Sequence, residues 1–296
     1  MGGRAGGERT AVAGESVSRW RGRAFEVILL VATLVGIVAL GVLLVYVGID
    51  AIGWLDWQFL TSSSSWRPEE AGIYPALVGS VLLVALIAIL SFPVGVGAAI
   101  YLEEYSPDTW YVRAIQVNIS NLAGVPSVVY GILGLALFIR IGNLAYGTLI
   151  VGALTVSLLI LPIVIISAQE AIRSVPDSLR QASYGMGATR WQTVRNVVIP
   201  RALPGILTGT ILALGRAIGE TAPLIMIGVP TAYYSLPDGL RSKFTAMPMQ
   251  IFSWADLPDE AFQHGVLAAG VVTLLAVLIL MNGTAILIRN RYQRGS

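Results

Sequence analysis

Gln181 to Gly205 reads QASYGMGATRWQTVRNVVIPRALPG. It is the longest polar, arginine-bearing segment in a chain that is otherwise mostly compatible with lipid. One apolar run ends near Ser167 before it, and another starts at Pro204-Gly205 after it. Both ends are therefore tied to the membrane, and the segment reads as a loop in water between two spans.

The flanking runs agree with the composition. Of 296 residues, 55% are hydrophobic and 12% charged, with mean hydropathy +0.75, which places the chain among polytopic membrane proteins. A span needs about 20 predominantly apolar residues. Six stretches qualify, Phe25–Val47, Ile73–Leu102, Ile115–Ile139, Tyr146–Ala168, Gly205–Gly228 and Gly265–Ile288, so the expected fold is all-α, a transmembrane bundle of six spans. The first run is too long for the apolar region of a signal peptide, and no A-x-A-like site follows it, so it reads as a retained helix. The organisation expected is a disordered cytoplasmic tail (1–24), a first transmembrane helix (25–48), an extracytoplasmic loop (49–72), a core (73–288) with the polar loop at about 170–204, and a cytoplasmic tail (289–296).

Basic residues set the orientation, because loops on the cytoplasmic side carry the excess of Lys and Arg. With the N-terminus inside, fourteen of the 19 fall in the cytoplasm, whereas Arg67, Arg140, Arg241 and Lys243 fall outside and Arg216 lies within a span. Both termini are expected to be cytoplasmic. The arginines follow the membrane face with no nucleic-acid motif, so no nucleic-acid partner is expected. There is no cysteine and a single histidine, His264, so neither a disulfide framework nor a metal site is expected.

Within the polar loop, Ser174 reads as a helix cap with Pro176 in the first turn and Gly185 or Gly187 as the stop. Thr189 can cap a second helix, with Trp191, Val194 and Val198 as its apolar stripe, Arg190 and Arg195 outward and Pro200 as its end. Such an amphipathic helix can dock on a partner or lie on the membrane. The third span contains AGVPSVVYGILG, residues 123–134, in which Pro126 frees a carbonyl near Ser127 and Tyr130; the break either lines a cavity or serves helix packing. The fifth span holds Arg216 and Glu220, one helical turn apart. Neither should face lipid, where each costs about 2.5–3.5 kcal/mol on insertion scales. The pair either serves a substrate pathway or locks two helices together. Pro93 should kink the second span, and Glu103 and Glu104 mark its cytoplasmic end. Two outer loops, Asp50–Gly72 with three tryptophans and Tyr233–His264 with the turn Pro237-Asp238-Gly239, complete the chain; the second is large enough to touch a soluble partner.

No G-x-x-x-x-G-K-[ST] occurs and the single lysine is Lys243, so the chain has no P-loop of its own; G-x-S-x-G and H-E-x-x-H are also absent. An enzyme is not expected, nor is any cofactor.

The spacing in the polar loop resembles the EAA motif of ABC-importer permeases: E-A-A, three residues, Gly, nine residues, then I-x-L-P. Gln181, Ala182 and Ser183 stand at E-A-A, Gly187 at the motif glycine, and Val197, Ile199 and Pro200 at the close. Gln181 departs from the motif's glutamate. The run PRALPGILTGTILALGRAIGETAPL and the third-span AGVPSVVYGIL resemble the A-type (PstA-like) permease subunits of phosphate importers. The resemblance implies a type I importer (MetI-like) core in a bacterial or archaeal cytoplasmic membrane. It also implies a sister permease subunit, a homodimeric subunit that binds the ATP, and an extracytoplasmic phosphate-binding protein. The loop would receive the stroke of the ATPase, and Arg216, Glu220, Ser127 and Tyr130 would belong to the substrate pathway. Another oxyanion, such as molybdate or sulfate, and an ion-driven transporter are the alternatives.

Overall fold

The computed structural model describes residues 7–293. The chain divides into two compact units, Met1–Asp50 and Ala51–Ser296. The first is a single helix, α1 (Gly7–Asp50), which from Gly22 onward is long and apolar enough to cross a membrane. Residues 7–24, expected to be disordered, are helical. Glu8, Arg9, Ala11 and Ala13 favour helix, and extending a formed helix costs far less than nucleating one. Residues 1–6 of that tail and 294–296 of the C-terminal tail lie outside the described residues.

The second unit begins with α2 (Trp57–Thr61), capped by the Asp56 carboxylate accepting from Phe59 N–H, and a 3₁₀ turn at Pro68–Glu70. Then come α3 (Tyr74–Ile100), with Pro93 inside it and a π-helical turn, Tyr101–Tyr105, at its end; α4 (Trp110–Ala123); and α5 (Ser127–Gly134), which widens into a π turn at Leu135–Ile141. They are followed by α6 (Leu149–Arg173), α7 (Asp177–Gly185), α8 (Arg190–Thr193), a π turn at Val194–Val198 and α9 (Ile199–Ile218). The last elements are α10 (Ala222–Met226), α11 (Met247–Ala255), a π turn at Ala261–Val266 and α12 (Leu267–Gln293). Among the described residues, five helices qualify as spans by length and composition, and α4 with α5 and its π turn makes a sixth as a pair bent by 104°.

Helix α6 is the axis of this unit. Val156, Ile160 and Val164 are buried against Leu83 and Ile87 of α3 and Ala213 of α9. Nearer the polar loop, Ile172, Val175, Val198 and Ile206 form a second cluster with Ala99 and Leu102.

Three spans differ from a plain reading of the sequence. The third is not one straight helix. Pro126 has no N–H to donate and biases Val125 away from helix, so α4 stops at Gly124 and α5 starts afresh. The buried Tyr130 braces the bend, its hydroxyl donating to the Leu122 carbonyl at 2.8 Å. The fifth span stops at Ile218 instead of running to Gly228, because Pro223 suits the start of a new helix and not the interior of an old one. Pro200, expected to end a helix, sits inside one, and Arg190–Ile218 is continuous. Just before it Ile199 N–H bonds the Val194 carbonyl five residues back, and this widened turn accommodates the proline ring.

The second outer loop is also more than a loop. Phe244, Met247, Met249 and Trp254 are fully buried. Phe244 packs where Gly152 leaves room, 2.9 Å from where a Cβ would be, and Met247 N–H donates to Ser80 Oγ at 2.8 Å. The same segment finishes α6: the Ser242 and Leu240 carbonyls accept from Leu149 and Ile150 N–H, donors that a helix start leaves without internal partners.

Helices α5 and α10 touch through Gly131, where an added Cβ would lie 2.7 Å from Met226 Cβ and 2.8 Å from Pro223 Cα. Gly131→Val is therefore expected to destabilise by overpacking, about 1–3 kcal/mol. Tyr130→Phe should cost about 1 kcal/mol for one hydrogen bond, since Leu122 O keeps the Val125 N–H. Thermal unfolding in detergent reads both, and an unchanged Gly131→Val would contradict this packing.

Candidate coupling loop and translocation site

The loop between α6 and α9 is an ordered two-helix structure. Ser174, expected as a cap, instead closes α6, and its Oγ donates to the Ala171 carbonyl; α7 opens on Pro176 with Asp177 in its first turn. An acid there suits the positive end of the helix dipole. Gly185 ends α7, and Gly187 turns the chain with φ +81°. Thr189 caps α8 in a reciprocal box with Gln192: Gln192 N–H donates to Thr189 Oγ1, and Thr189 N–H to Gln192 Oε1.

The motif positions divide by burial. Ser183 is buried and shares a 2.8 Å hydrogen bond with the buried Thr193 hydroxyl, which pins α7 to α8. Gln181 and Ala182 are exposed, Val197 and Ile199 half-buried, and Pro200 exposed. Of the expected apolar stripe, Val194 and Val198 are fully buried, whereas Trp191 faces out, with Thr193 taking the inner place. Arg190 and Arg195 are exposed, as expected. Trp191 is thus exposed, as are Tyr184 and Met186 of the same loop, the last 84% exposed.

The sequence reading missed what holds the loop to the bundle. Glu103 and Glu104 do more than mark the end of α3. Glu103 receives Arg173 Nη2 at 2.7 Å, Arg173 Nε at 2.9 Å and Gln169 Nε2 at 2.8 Å. Glu104 Oε1 receives Arg180 Nη2 at 2.9 Å and Nε at 3.1 Å, with the two side chains only 6% and 15% exposed. Arg180 also donates to the Ile172 and Val175 carbonyls at the end of α6. The partners are 66–76 residues apart, so no local spacing announces them. The one sequence signal is a pair of adjacent carboxylates at the same membrane face as two arginines.

Arg216 and Glu220 do meet, as their spacing implies: Arg216 Nε donates to Glu220 Oε1 at 3.1 Å. Arg216 is 49% exposed and Glu220 13%. The guanidinium makes no other hydrogen bond among the described residues, so both its Nη groups stay available to a further acceptor. The pair sits at a break, because α9 ends at Ile218 and α10 starts at Ala222. Ser127 opens α5, whose Gly131 packs on α10, so the broken third and fifth spans are neighbours. Tyr130 differs from this set, since its hydroxyl is committed to the Leu122 carbonyl.

Arranged chemically, this is a membrane bundle with a cationic group at a helix break and a polar two-helix loop at one end. Known proteins match it. Residues 91–293 match the family described as binding-protein-dependent transport system inner membrane component. The probable ABC transporter permease protein YqgI of Bacillus subtilis (strain 168) is 37% identical over 246 residues, 78% of this chain and 83% of that protein. The phosphate transport system permease protein PstA 1 of Mycobacterium tuberculosis (strain CDC 1551 / Oshkosh) is 33% identical over 242 residues, 79% of this chain and 78% of that protein. A chain of the inward-facing MetNI methionine ABC transporter (CY5 native crystal form) shares the fold, with TM-score 0.60 and 17% identity over 74% of this chain and 97% of that one. The chain belongs to the inner membrane components of binding-protein-dependent transport systems, and is an ABC-importer permease subunit with a MetI-like helical core.

Proposed function

We propose that this permease carries inorganic phosphate. It forms half of the pathway with a sister permease subunit, takes substrate from an extracytoplasmic phosphate-binding protein, and is driven by a separate homodimeric subunit that binds the ATP. The observation that carries the substrate reading is Arg216 at the break after α9, with one donor on Glu220 and two groups of donors unclaimed. A guanidinium stays charged when partly buried, and its fork matches phosphate oxygens. Glu220 holds Arg216 when no anion is present and competes with the anion, which keeps binding weak enough for release. Similarity to permeases named for phosphate transport supports this reading.

The loop supports the coupling reading. Gln181, Tyr184, Met186 and Trp191 offer an exposed, partly apolar surface on a pinned two-helix frame, suited to a groove in the ATPase. The excess of basic residues on one face supports a cytoplasmic location for this loop and both termini.

Three measurements test these points. In phosphate uptake per assembled complex, Arg216→Gln should lose at least about tenfold, since hydrogen bonds to charged groups are worth about 1.5–3 kcal/mol. Arg216→Lys should keep part of the activity and Glu220→Gln should be milder. Wild-type uptake in Arg216→Gln rejects the role, and competition by molybdate or sulfate instead of phosphate reassigns the substrate. For the loop, Gly187→Val places a β-branched residue at positive φ, a strain of about 1–2 kcal/mol. Nothing crowds its Cβ, so the protein should insert yet lose substrate-stimulated ATPase activity; unchanged transport contradicts the loop's role. For orientation, the cysteine-free chain allows single-cysteine labelling: Ser63→Cys or Asp238→Cys should react with an impermeant thiol reagent from outside and Thr189→Cys should not, and the reverse pattern overturns the topology.

A further inference from the structure

The loop is continuous with two spans through its backbone, α6 at one end and α8–α9 at the other. Helix α3 has no such connection, because α4 and α5 intervene. Force applied to the loop reaches α3 only through side chains. Apolar packing on α6 lines much of α3, but the polar contacts at the loop end converge on one short element, the π turn Tyr101–Tyr105, three consecutive residues of which hold the end of α6, α7 and α8. Glu103 holds Arg173 and Gln169 at the end of α6. Glu104 holds Arg180 of α7. The ring of Tyr105 lies under Arg190 of α8, whose guanidinium carbon is 5.2 Å from the ring centroid.

Helical geometry explains why the turn is widened. The π turn is marked by Ser106 N–H bonding the Tyr101 carbonyl five residues back. The chain leaves the helix at Ser106, so this wide turn closes α3, as such turns often do at helix C-termini. Here three adjacent residues all find partners across the same junction.

We propose that the Tyr101–Tyr105 turn is the joint through which the coupling loop drives α3, with Glu104 and Arg180 as its positioning residues. Apolar contacts between Ala99, Leu102, Ile172, Val175 and Val198 already bury this junction. Such contacts are non-directional and let helices slide. A buried ion pair sets register instead, because separating it leaves an uncompensated charge in a site nearly closed to water. Arg180 is saturated from both sides, by Glu104 of the π turn and by the Ile172 carbonyl of α6, the Val175 carbonyl just beyond it and Asp177 of α7. It therefore locks the two spans and α7 into one moving body.

This inference rests on the loop being the ATPase contact, and the test separates the two. In the cysteine-free chain, Glu104→Cys with Arg180→Cys is assembled with its partner subunits, and substrate uptake and ATP hydrolysis are measured per complex. Unbridged, the double variant should hydrolyse ATP but lose about tenfold in uptake per ATP, within the ~5–150-fold span of typical coupling energies. Bridging the thiols with a reducible bifunctional reagent should restore uptake per ATP, and reduction should remove it again. Wild-type coupling in the unbridged variant overturns the joint, as does a bridged complex that stays uncoupled, because a rigid joint tolerates bridging and a sliding contact does not. A Gly187→Val complex that stays fully coupled overturns the loop reading itself, whatever the bridge does.

Discussion

Every backbone N–H and C=O that a chain carries into a bilayer must find a partner inside the protein. That constraint makes the structure helical, and it also determines where the helices can stop. Two interruptions coincide with partners that take up the freed backbone groups, and a third lies beside an ion pair. At Gly124–Pro126 the Leu122 carbonyl is met by Val125 N–H and the Tyr130 hydroxyl. At the start of α6, Leu149 and Ile150 donate to the Ser242 and Leu240 carbonyls of a segment far along the chain. After Ile218 the chain breaks beside an ion pair. The breaks are thus built into the packing.

Charge is handled by the same logic. Removing a carboxylate and a guanidinium from water is unfavourable unless both are paired and hydrogen-bonded. Two ion pairs stand at opposite ends of this scale. Glu104–Arg180 is enclosed and saturated, which suits a contact that must not slip. Arg216–Glu220 has a single contact and an arginine half open, which suits a contact that must be exchanged. On the proposed reading one residue class serves both as joint and as ligand, and the number of donors already occupied separates the two roles.

The polar loop links these features. Its pinned hydroxyls, Ser183 and Thr193, and its reciprocal cap at Thr189 make it a frame instead of a flexible connection. A frame transmits displacement. On the proposed reading, continuity of α8, the π turn and α9 would carry that displacement along one helix from the loop toward the Arg216 break.

The sequence by itself determined much of this. Composition and run lengths gave the helical membrane class, because lipid tolerates few alternatives. The EAA spacing gave the family, and Thr189, Gly187 and the i, i+4 pair Arg216–Glu220 were legible because caps, left-handed turns and one-turn neighbours are local in sequence. Only the tertiary structure decided the rest. Pro200 lies within a helix and Pro126 does not, because one is relieved by a widened turn and the other by Tyr130 folding back on Leu122. The block Phe244–Trp254 is core because glycines at 79 and 152 leave slots for it, which no property of the block itself reveals. Glu103 and Glu104 find Arg173 and Arg180 across 70 and 76 residues, a pairing that exists only once α3 and α6 lie side by side.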